Sequence, residues 1–142
     1  MDNTKRLTLI EKAKQQGINS TNLPLPVVSL EDFFTGNDDP GSIGCNTDHP
    51  GPEYFADPLF AIRAKPTVQD VLVEIYEVNE QDHATWPFSE RIYILTSSSC
   101  EEVTEWLATL HPDAVEEDFM YGVPMAAPQL QSGTRVYAAW WD

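Results

Sequence analysis

The sequence predicts a single α+β domain, a small, mainly antiparallel sheet of about three or more strands with three to four helices packed on it. The length of 142 residues is typical of one domain, and 42% hydrophobic residues are enough to bury a core. Residues 68–78 show a period of two, and residues 91–96 are a second run rich in β-branched side chains. Segments with helix caps surround these strands. We therefore treat residues 1–142 as one domain.

Residues 1–17 predict a basic first helix. The first 14 residues carry four basic and two acidic side chains, a net charge of +2. Leu7, Ile10 and Lys14 lie at helical spacing, and they predict the stripe that faces the rest of the domain. Gly17 stands where the C-cap of this helix is expected.

Residues 18–28 predict an extended strap along the surface. Pro24 and Pro26 remove backbone donors and fix an extended path. A short helix then begins after Ser29, whose hydroxyl is a good N-cap. The aromatic pair at residues 33–34 supplies a contact with the core.

Residues 36–52 predict a long irregular loop, because four glycines and three prolines in 17 residues interrupt any helix or strand. Cys45, Asp48 and His49 lie within five residues and are the candidate metal ligands of this loop. A structural zinc site uses four ligands, usually in Cys and His pairs, so this set is incomplete. A calcium loop fails because Pro50 stands where a ligand oxygen is needed. The composition favours turns without a metal.

The second half predicts the remaining helices and strands. Residues 53–65 predict a helix in two parts, because Asp57–Pro58 is a good N-cap and first residue for a second helix. Two strands follow, and the polar connection at 79–89 predicts that they pair antiparallel. Residues 134–142 predict a third strand, which pairs antiparallel or, through the helical crossover before it, parallel to the second strand. Residues 113–133, acidic and then proline-rich, show no pattern that assigns them.

Cys100 is the candidate nucleophile. It follows three serines at the start of a helix, which the spacing of Ser99 and Glu102 predicts as a capping box. The alternative is an inert cysteine in the first turn of a capped helix. Phosphate-loop, dinucleotide, metalloprotease and serine-elbow motifs are absent. The sequence therefore favours a non-enzymatic domain without a cofactor, and the alternative is a small enzyme that uses Cys100 or the candidate metal ligands of the 36–52 loop.

The charge balance is strongly acidic. The chain has 23 Asp and Glu against 8 Lys and Arg, a formal net charge of −15. Because the first 14 residues carry +2, the other 128 carry −17. Such a surface argues against binding to nucleic acid or to an anionic membrane, since both need basic residues. It favours a basic protein as the partner, because complementary charge speeds association.

The sequence predicts neither export nor membrane insertion. The apolar run at residues 7–10 is shorter than the core of a signal peptide. No stretch approaches the ~20 apolar residues of a membrane span. Two cysteines that lie 55 positions apart do not form a disulfide framework. These observations predict a cytoplasmic protein.

The predicted contact surface combines the long loop, the acidic residues 113–118 and exposed tryptophans. Tryptophan often anchors protein interfaces. Trp140 and Trp141 are adjacent on a strand and point to opposite faces, so one is exposed unless a helix or the proline-rich segment covers the second face. The residues predicted to bind the partner are Asp38, Asp39, Asp48, His49, Trp86, Glu116, Glu117, Asp118 and Trp141.

Residues 101–107 (EEVTEWL) and 137–142 (YAAWWD), in a small acidic α+β chain, resemble the bacterial immunity proteins of polymorphic and contact-dependent toxin systems. The resemblance implies a compact cytoplasmic domain that neutralises one toxin domain by stoichiometric binding. It carries over no individual functional residue. Toxic nucleases are often basic, so an acidic inhibitor would be steered to them. The expected function is inhibition of a basic protein such as a toxin, with the oligomeric state left open.

Overall fold

The computed structural model describes residues 1–20 and 24–142. This part of the chain contains one five-stranded sheet and four α-helices, which confirms the predicted α+β class. Residues 21–23 of the predicted strap lie outside the described residues. The helices are α1 (Asn3–Gln15), α2 (Leu30–Phe34), α3 (Glu53–Arg63) and α4 (Cys100–Trp106), and the strands are β1 (Val27–Ser29), β2 (Val68–Glu74), β3 (Arg91–Thr96), β4 (Ala114–Glu117) and β5 (Arg135–Trp140).

The strand order is β1-β2-β3-β5-β4, and every neighbouring pair is antiparallel. The parallel alternative for the last strand is therefore wrong, because β5 runs antiparallel to β3 with Ile94 opposite Tyr137. The connection between these strands contains α4, β4 and residues 118–134, and is long enough to reverse the chain. We call residues 118–134 the flap.

The sheet has two buried faces, since side chains alternate along each strand. We call the face that carries Val73 and Ile94 the helix face, because residues from all four helices join these side chains in one hydrophobic cluster. Phe33 and Phe34 are both buried, with their rings edge to face at 4.9 Å. The predicted aromatic contact of α2 is thus made by both residues.

The opposite face, which we call the flap face, lies under the flap. The Phe119 ring packs against the Tyr93 ring with centroids 4.9 Å apart. The Gln69 side chain donates to the carbonyl oxygen of Gln129 and accepts from the backbone N–H of Gln131, both at 2.9 Å. The sequence leaves open whether a helix or the proline-rich segment covers the second face of the sheet. In the structure the proline-rich segment covers it.

The buried stripe of α1 differs from the predicted one. Leu7 and Lys14 are exposed, whereas Arg6, Leu9 and Ala13 are buried together with Ile10 of the prediction. The difference arises from Arg6. Its charge predicts an exposed side chain, but its guanidinium donates hydrogen bonds to backbone carbonyls inside the fold. An arginine can be buried where backbone carbonyls satisfy its donors.

Charge pairing helps to dock α1 on the rest of the domain. Lys12 Nζ lies 2.8 Å from a carboxylate oxygen of Asp32, and Lys14 Nζ lies 2.5 Å from one of Glu80. Two bases of this helix therefore pair with acids of the same chain.

Helix α3 is continuous, so the predicted break at Asp57–Pro58 is wrong. A proline removes one intrahelical hydrogen bond, here to the carbonyl of Tyr54 four residues earlier. Phe55 and Leu59 on either side of the proline are fully buried against the sheet. Packing of this apolar face stabilises the helix through the defect.

The edge of the sheet at β1 is closed by the side chain of Gln16, the C-cap residue of α1. The Gln16 amide donates to the carbonyl oxygen of Val27 at 2.9 Å and accepts from the N–H of the same residue at 3.0 Å. These two bonds reproduce the pattern that a further strand would make. The outward-facing N–H and C=O of Val27 on this edge are therefore already hydrogen-bonded.

Candidate functional site

The acids at the start of the 36–52 loop serve the fold. One carboxylate oxygen of Asp39 accepts from the N–H of Gly41 at 2.9 Å, and the other accepts from the N–H of Trp86 at 3.0 Å. Asp38 lies 2.7 Å from the amino group of Met1, whose hydrogen bond lowers the pKa of the Asp38 carboxyl. Both predicted contact residues thus have internal partners.

The candidate metal ligands of this loop do not converge. Cys45 and Asp48 are exposed, while both ring nitrogens of His49 are engaged with backbone. His49 Nε2 donates to the carbonyl oxygen of Ile43 at 2.9 Å, and Nδ1 accepts from the N–H of Gly51 at 3.2 Å. Across residues 1–20 and 24–142 no three His, Cys, Asp or Glu side chains are grouped as metal ligands. In this structure Cys45, Asp48 and His49 therefore do not form a joint set of metal ligands.

Two tryptophans predicted to contact a partner are buried, so this prediction is wrong for Trp86 and Trp141. Their exposed fractions are 0% and 2%. Trp141 lies on the helix face, where its indole N–H donates to the carbonyl oxygen of Leu110 at 2.7 Å and its ring meets Phe55 edge to face at 5.3 Å. Both side chains supply core volume rather than contact surface.

Cys100 is the first residue of α4 and is half-buried. The predicted capping box is confirmed, with Ser99 and Glu102 each bonding the other's backbone. In the described part of the chain no hydrogen bond joins the Cys100 thiol to a histidine. The serines before it, Glu117 and Arg135 line a cavity of about 620 Å³ beside it. Cys100 lies in the first turn of a capped helix, as both alternatives predict, and its reactivity decides between them.

The two thiols give a direct check on whether Cys100 is inert. We expect iodoacetamide to modify Cys45 faster than Cys100, because the first side chain is exposed and the second is half-buried. Mass spectrometry of the Cys45→Ser and Cys100→Ser variants resolves the two rates at pH 7. A Cys100 that reacts faster than a free thiol would contradict an inert Cys100 and support the nucleophile.

Three exposed acids of the predicted contact surface lie on β4 and directly after it, in a region that the sequence pattern leaves unassigned. Glu116, Glu117 and Asp118 are all exposed, and we call these three residues the acidic edge. Arg135 of β5 reaches Glu117 at 3.1 Å, with both side chains more than half exposed. Asp118 has a left-handed backbone with φ of 89°, which turns the chain from β4 into the flap. The acidic edge therefore leads directly into the flap.

The flap presents a set of large apolar side chains to solvent. Val123 and Met125 are 71% and 66% exposed, more than the other large apolar residues of the described chain. Sequence periodicity misses this set because the segment is neither helix nor strand, although Met, Tyr and Val beside prolines are a visible signal. The exposed apolar residues of the flap are Met120, Tyr121, Val123, Met125 and Leu130.

A buried polar cluster holds the flap on the sheet. Arg91 and Tyr93 donate to the two carboxylate oxygens of Glu74, at 2.9 Å and 2.5 Å. The Tyr93 hydroxyl in turn accepts from the N–H of Met120 at 3.3 Å, and the Arg91 guanidinium lies 5.5 Å from the centre of the Tyr121 ring. Met120 and Tyr121, at the start of the flap, are thus held from below.

The electrostatics of this cluster follow from burial. Burial raises the pKa of Glu74, and the hydrogen bond from Tyr93 together with the charge and hydrogen bond of Arg91 offsets only part of that rise. Burial and the neighbouring Glu74 carboxylate raise the pKa of Tyr93, so its hydroxyl stays protonated as a donor. Sequence reasoning missed Glu74 because an acid in an alternating strand looks solvent-facing. The cluster lies under the flap and acts as an anchor for it.

Comparison with known proteins shows which family this chain is similar to. The model of the Uncharacterized protein YfbO family matches residues 4–139. The Uncharacterized protein YfbO of Escherichia coli (strain K12) is 35% identical over 127 residues, which cover 88% of this chain and 89% of that protein. No solved structure matches the chain. In the described residues, helices fall short of the length and apolarity needed to span a membrane. This chain belongs to the Uncharacterized protein YfbO family.

Proposed function

We propose that this protein is a non-enzymatic binding domain that holds a basic protein through the flap and the acidic edge. The observation that carries the proposal is the set of large apolar side chains exposed on a flap whose backbone is anchored from below. Exposed apolar groups of this kind mark interaction sites in soluble proteins. The chemistry of the partner follows from the acids that begin at the same segment.

Apolar and acidic groups have different roles in such an interface. Burial of Val123 and Met125 would supply most of the affinity, since a few large apolar anchors dominate protein interfaces. The acidic edge and the net charge of −15 would steer a basic partner and suppress acidic ones. The anchored flap lowers the ordering cost on binding, because its backbone is already fixed.

An inhibitor of the immunity type is the specific form of this function that we propose. Carboxylates can occupy a surface that otherwise binds phosphate, so a basic nuclease is a suitable target class. We place this interaction in the cytoplasm, as the sequence predicts. In residues 1–20 and 24–142 no histidine is hydrogen-bonded to the Cys100 thiol, so we favour binding over the thiol-dependent alternative.

Replacing the two most exposed flap residues tests the proposal. We expect Val123→Ser/Met125→Ser to reduce recovery of a basic protein from native lysate about tenfold, because the apolar anchors are lost at constant net charge. Quantitative mass spectrometry against the wild-type bait measures the ratio. Leu7→Ser is the matched control, since Leu7 is an exposed apolar residue on α1.

The outcomes separate cleanly. Loss of the same basic protein with the flap variant, and its retention with the control, supports the proposed function. Equal recovery by all three baits contradicts it. Recovery that changes with Leu7→Ser moves the contact surface to α1 and also overturns the proposal.

A further inference from the structure

The outer edge of β4 carries backbone groups that face away from the sheet. The N–H of Asp118 donates to the carbonyl oxygen of Val136 at 2.8 Å, in register with Glu116 opposite Ala138. In an antiparallel pair, hydrogen-bonded and non-hydrogen-bonded positions alternate. The N–H and C=O groups of Val115 and of Glu117 therefore point away from β5.

The two edges of the sheet are treated differently. Gln16 occupies the outward N–H and C=O of Val27 on β1. In the described chain, no backbone or side-chain group bonds the outward N–H and C=O of Val115 or Glu117. An unpaired edge of this kind is a template for another strand.

The side chains of β4 select the kind of strand that fits. Glu116 lies on the flap face and Glu117 on the helix face, and Asp118 follows at the end of the strand. A second copy of β4 would place like charges together, which disfavours self-pairing. A basic strand would meet a carboxylate on either face of the sheet.

We propose that β4 accepts an extended, lysine- or arginine-rich segment of the partner as a sixth strand of the sheet. This inference rests on the proposed function and names how the basic partner is held. The added strand would bond the outward groups of Val115 and Glu117, and its basic side chains would lie beside Glu116 and Glu117. Such strand addition gives affinity through the backbone and specificity through the side chains.

The test uses the full chain and a synthetic peptide with pairs of lysines between valines (VKKVKKV), which presents lysines on both faces of a strand. We expect the amide protons of Val115 and Glu117 to exchange fast in the free protein and to slow at least about tenfold when the peptide is bound at low salt. Two-dimensional NMR measures both amides. The same peptide with methylated backbone nitrogens keeps the charge but cannot form the strand, and should leave both amides fast.

A pair of variants at one position gives a second measurement. Glu117→Ala removes the carboxylate, whereas Glu117→Pro removes the carboxylate and the outward N–H. Proline is tolerated on edge strands where its missing N–H faces solvent, so both variants should fold. We expect Glu117→Ala to weaken peptide binding about threefold, through the loss of one carboxylate, and Glu117→Pro to bind at least about tenfold more weakly than Glu117→Ala.

Three results would overturn strand addition. They are no peptide binding at low salt, binding with unchanged exchange at Val115 and Glu117, and equal affinity of the two variants at position 117. If the Val123→Ser/Met125→Ser variant still loses the basic protein while the β4 amides stay fast, strand addition fails and the proposed function stands. If the amides are protected but the flap variant captures that protein normally, the flap role fails instead.

Discussion

Replacing Arg6 by methionine is expected to lower the free energy of unfolding by about 3 kcal/mol. The guanidinium is 1% exposed, and it donates to the carbonyl oxygens of Thr85, Asn79 and Asp82 at 2.6, 2.9 and 3.0 Å. Methionine keeps the apolar stem but leaves these carbonyls of the β2–β3 connection without their donor. The urea midpoint at an unchanged slope measures the loss.

Two variants make this result specific. Lys5→Met removes the neighbouring charge on an exposed side chain, and should change the free energy of unfolding by less than about 0.5 kcal/mol. Arg6→Lys keeps the charge but replaces a fork of donors with a single point, so we expect it to recover only part of the loss. A stable Arg6→Met protein would mean that the connection is held by other contacts.

The second large effect is expected at the buried cluster beneath the flap. Glu74→Leu should cost about 3–5 kcal/mol, because it leaves the Arg91 charge buried without its carboxylate. It also removes the acceptor of the Tyr93 hydroxyl, which positions the N–H of Met120. The flap should therefore loosen, and the amide of Met120 should exchange faster.

The double variant Glu74→Leu/Arg91→Met is the matched control for this effect. Replacing both members of a buried ion pair with apolar residues is often close to neutral, whereas removing one is not. We expect the double variant to recover most of the free energy lost in Glu74→Leu. Losses that simply add would show that the two side chains do not depend on each other.

Local sequence patterns correctly predict those helices and strands whose tertiary contacts favour the same structure. Strand β3 has the predicted bounds because residues 92–96, which follow Arg91, are all apolar or β-branched. Helix α4 begins where the Ser99 and Glu102 capping box places it. In both cases the local preference and the tertiary contacts favour the same structure.

The elements that sequence reasoning missed are decided by contacts between distant residues. The position of β4 depends on its pairing with β5, and the position of the flap depends on its contacts with the flap face of the sheet. The side chains that hold the flap are Tyr93 of β3 and Gln69 of β2. The buried state of Arg6 depends on carbonyls more than 70 positions away. Neither of these features leaves a periodic trace, because the pairing groups are backbone atoms.

The same contrast between local sequence patterns and contacts of distant residues applies to the candidate site. The acidic residues Glu116, Glu117 and Asp118 were predicted as contact residues from charge alone, and the structure finds all three exposed. Trp86 and Trp141 were predicted from residue type, which does not distinguish a core tryptophan from an interface one. The exposure of the apolar flap residues depends on how the flap lies on the sheet, which the sequence pattern does not predict.

Titration calorimetry with the purified protein and the basic protein that it captures tests the central claim most directly. We expect a 1:1 complex that weakens between about 50 and about 300 mM salt. We also expect Val123→Ser/Met125→Ser to weaken the complex at least about tenfold at either salt concentration. A complex whose affinity is the same for the wild type and the flap variant, and does not change with salt, would contradict binding through the flap and the acidic edge.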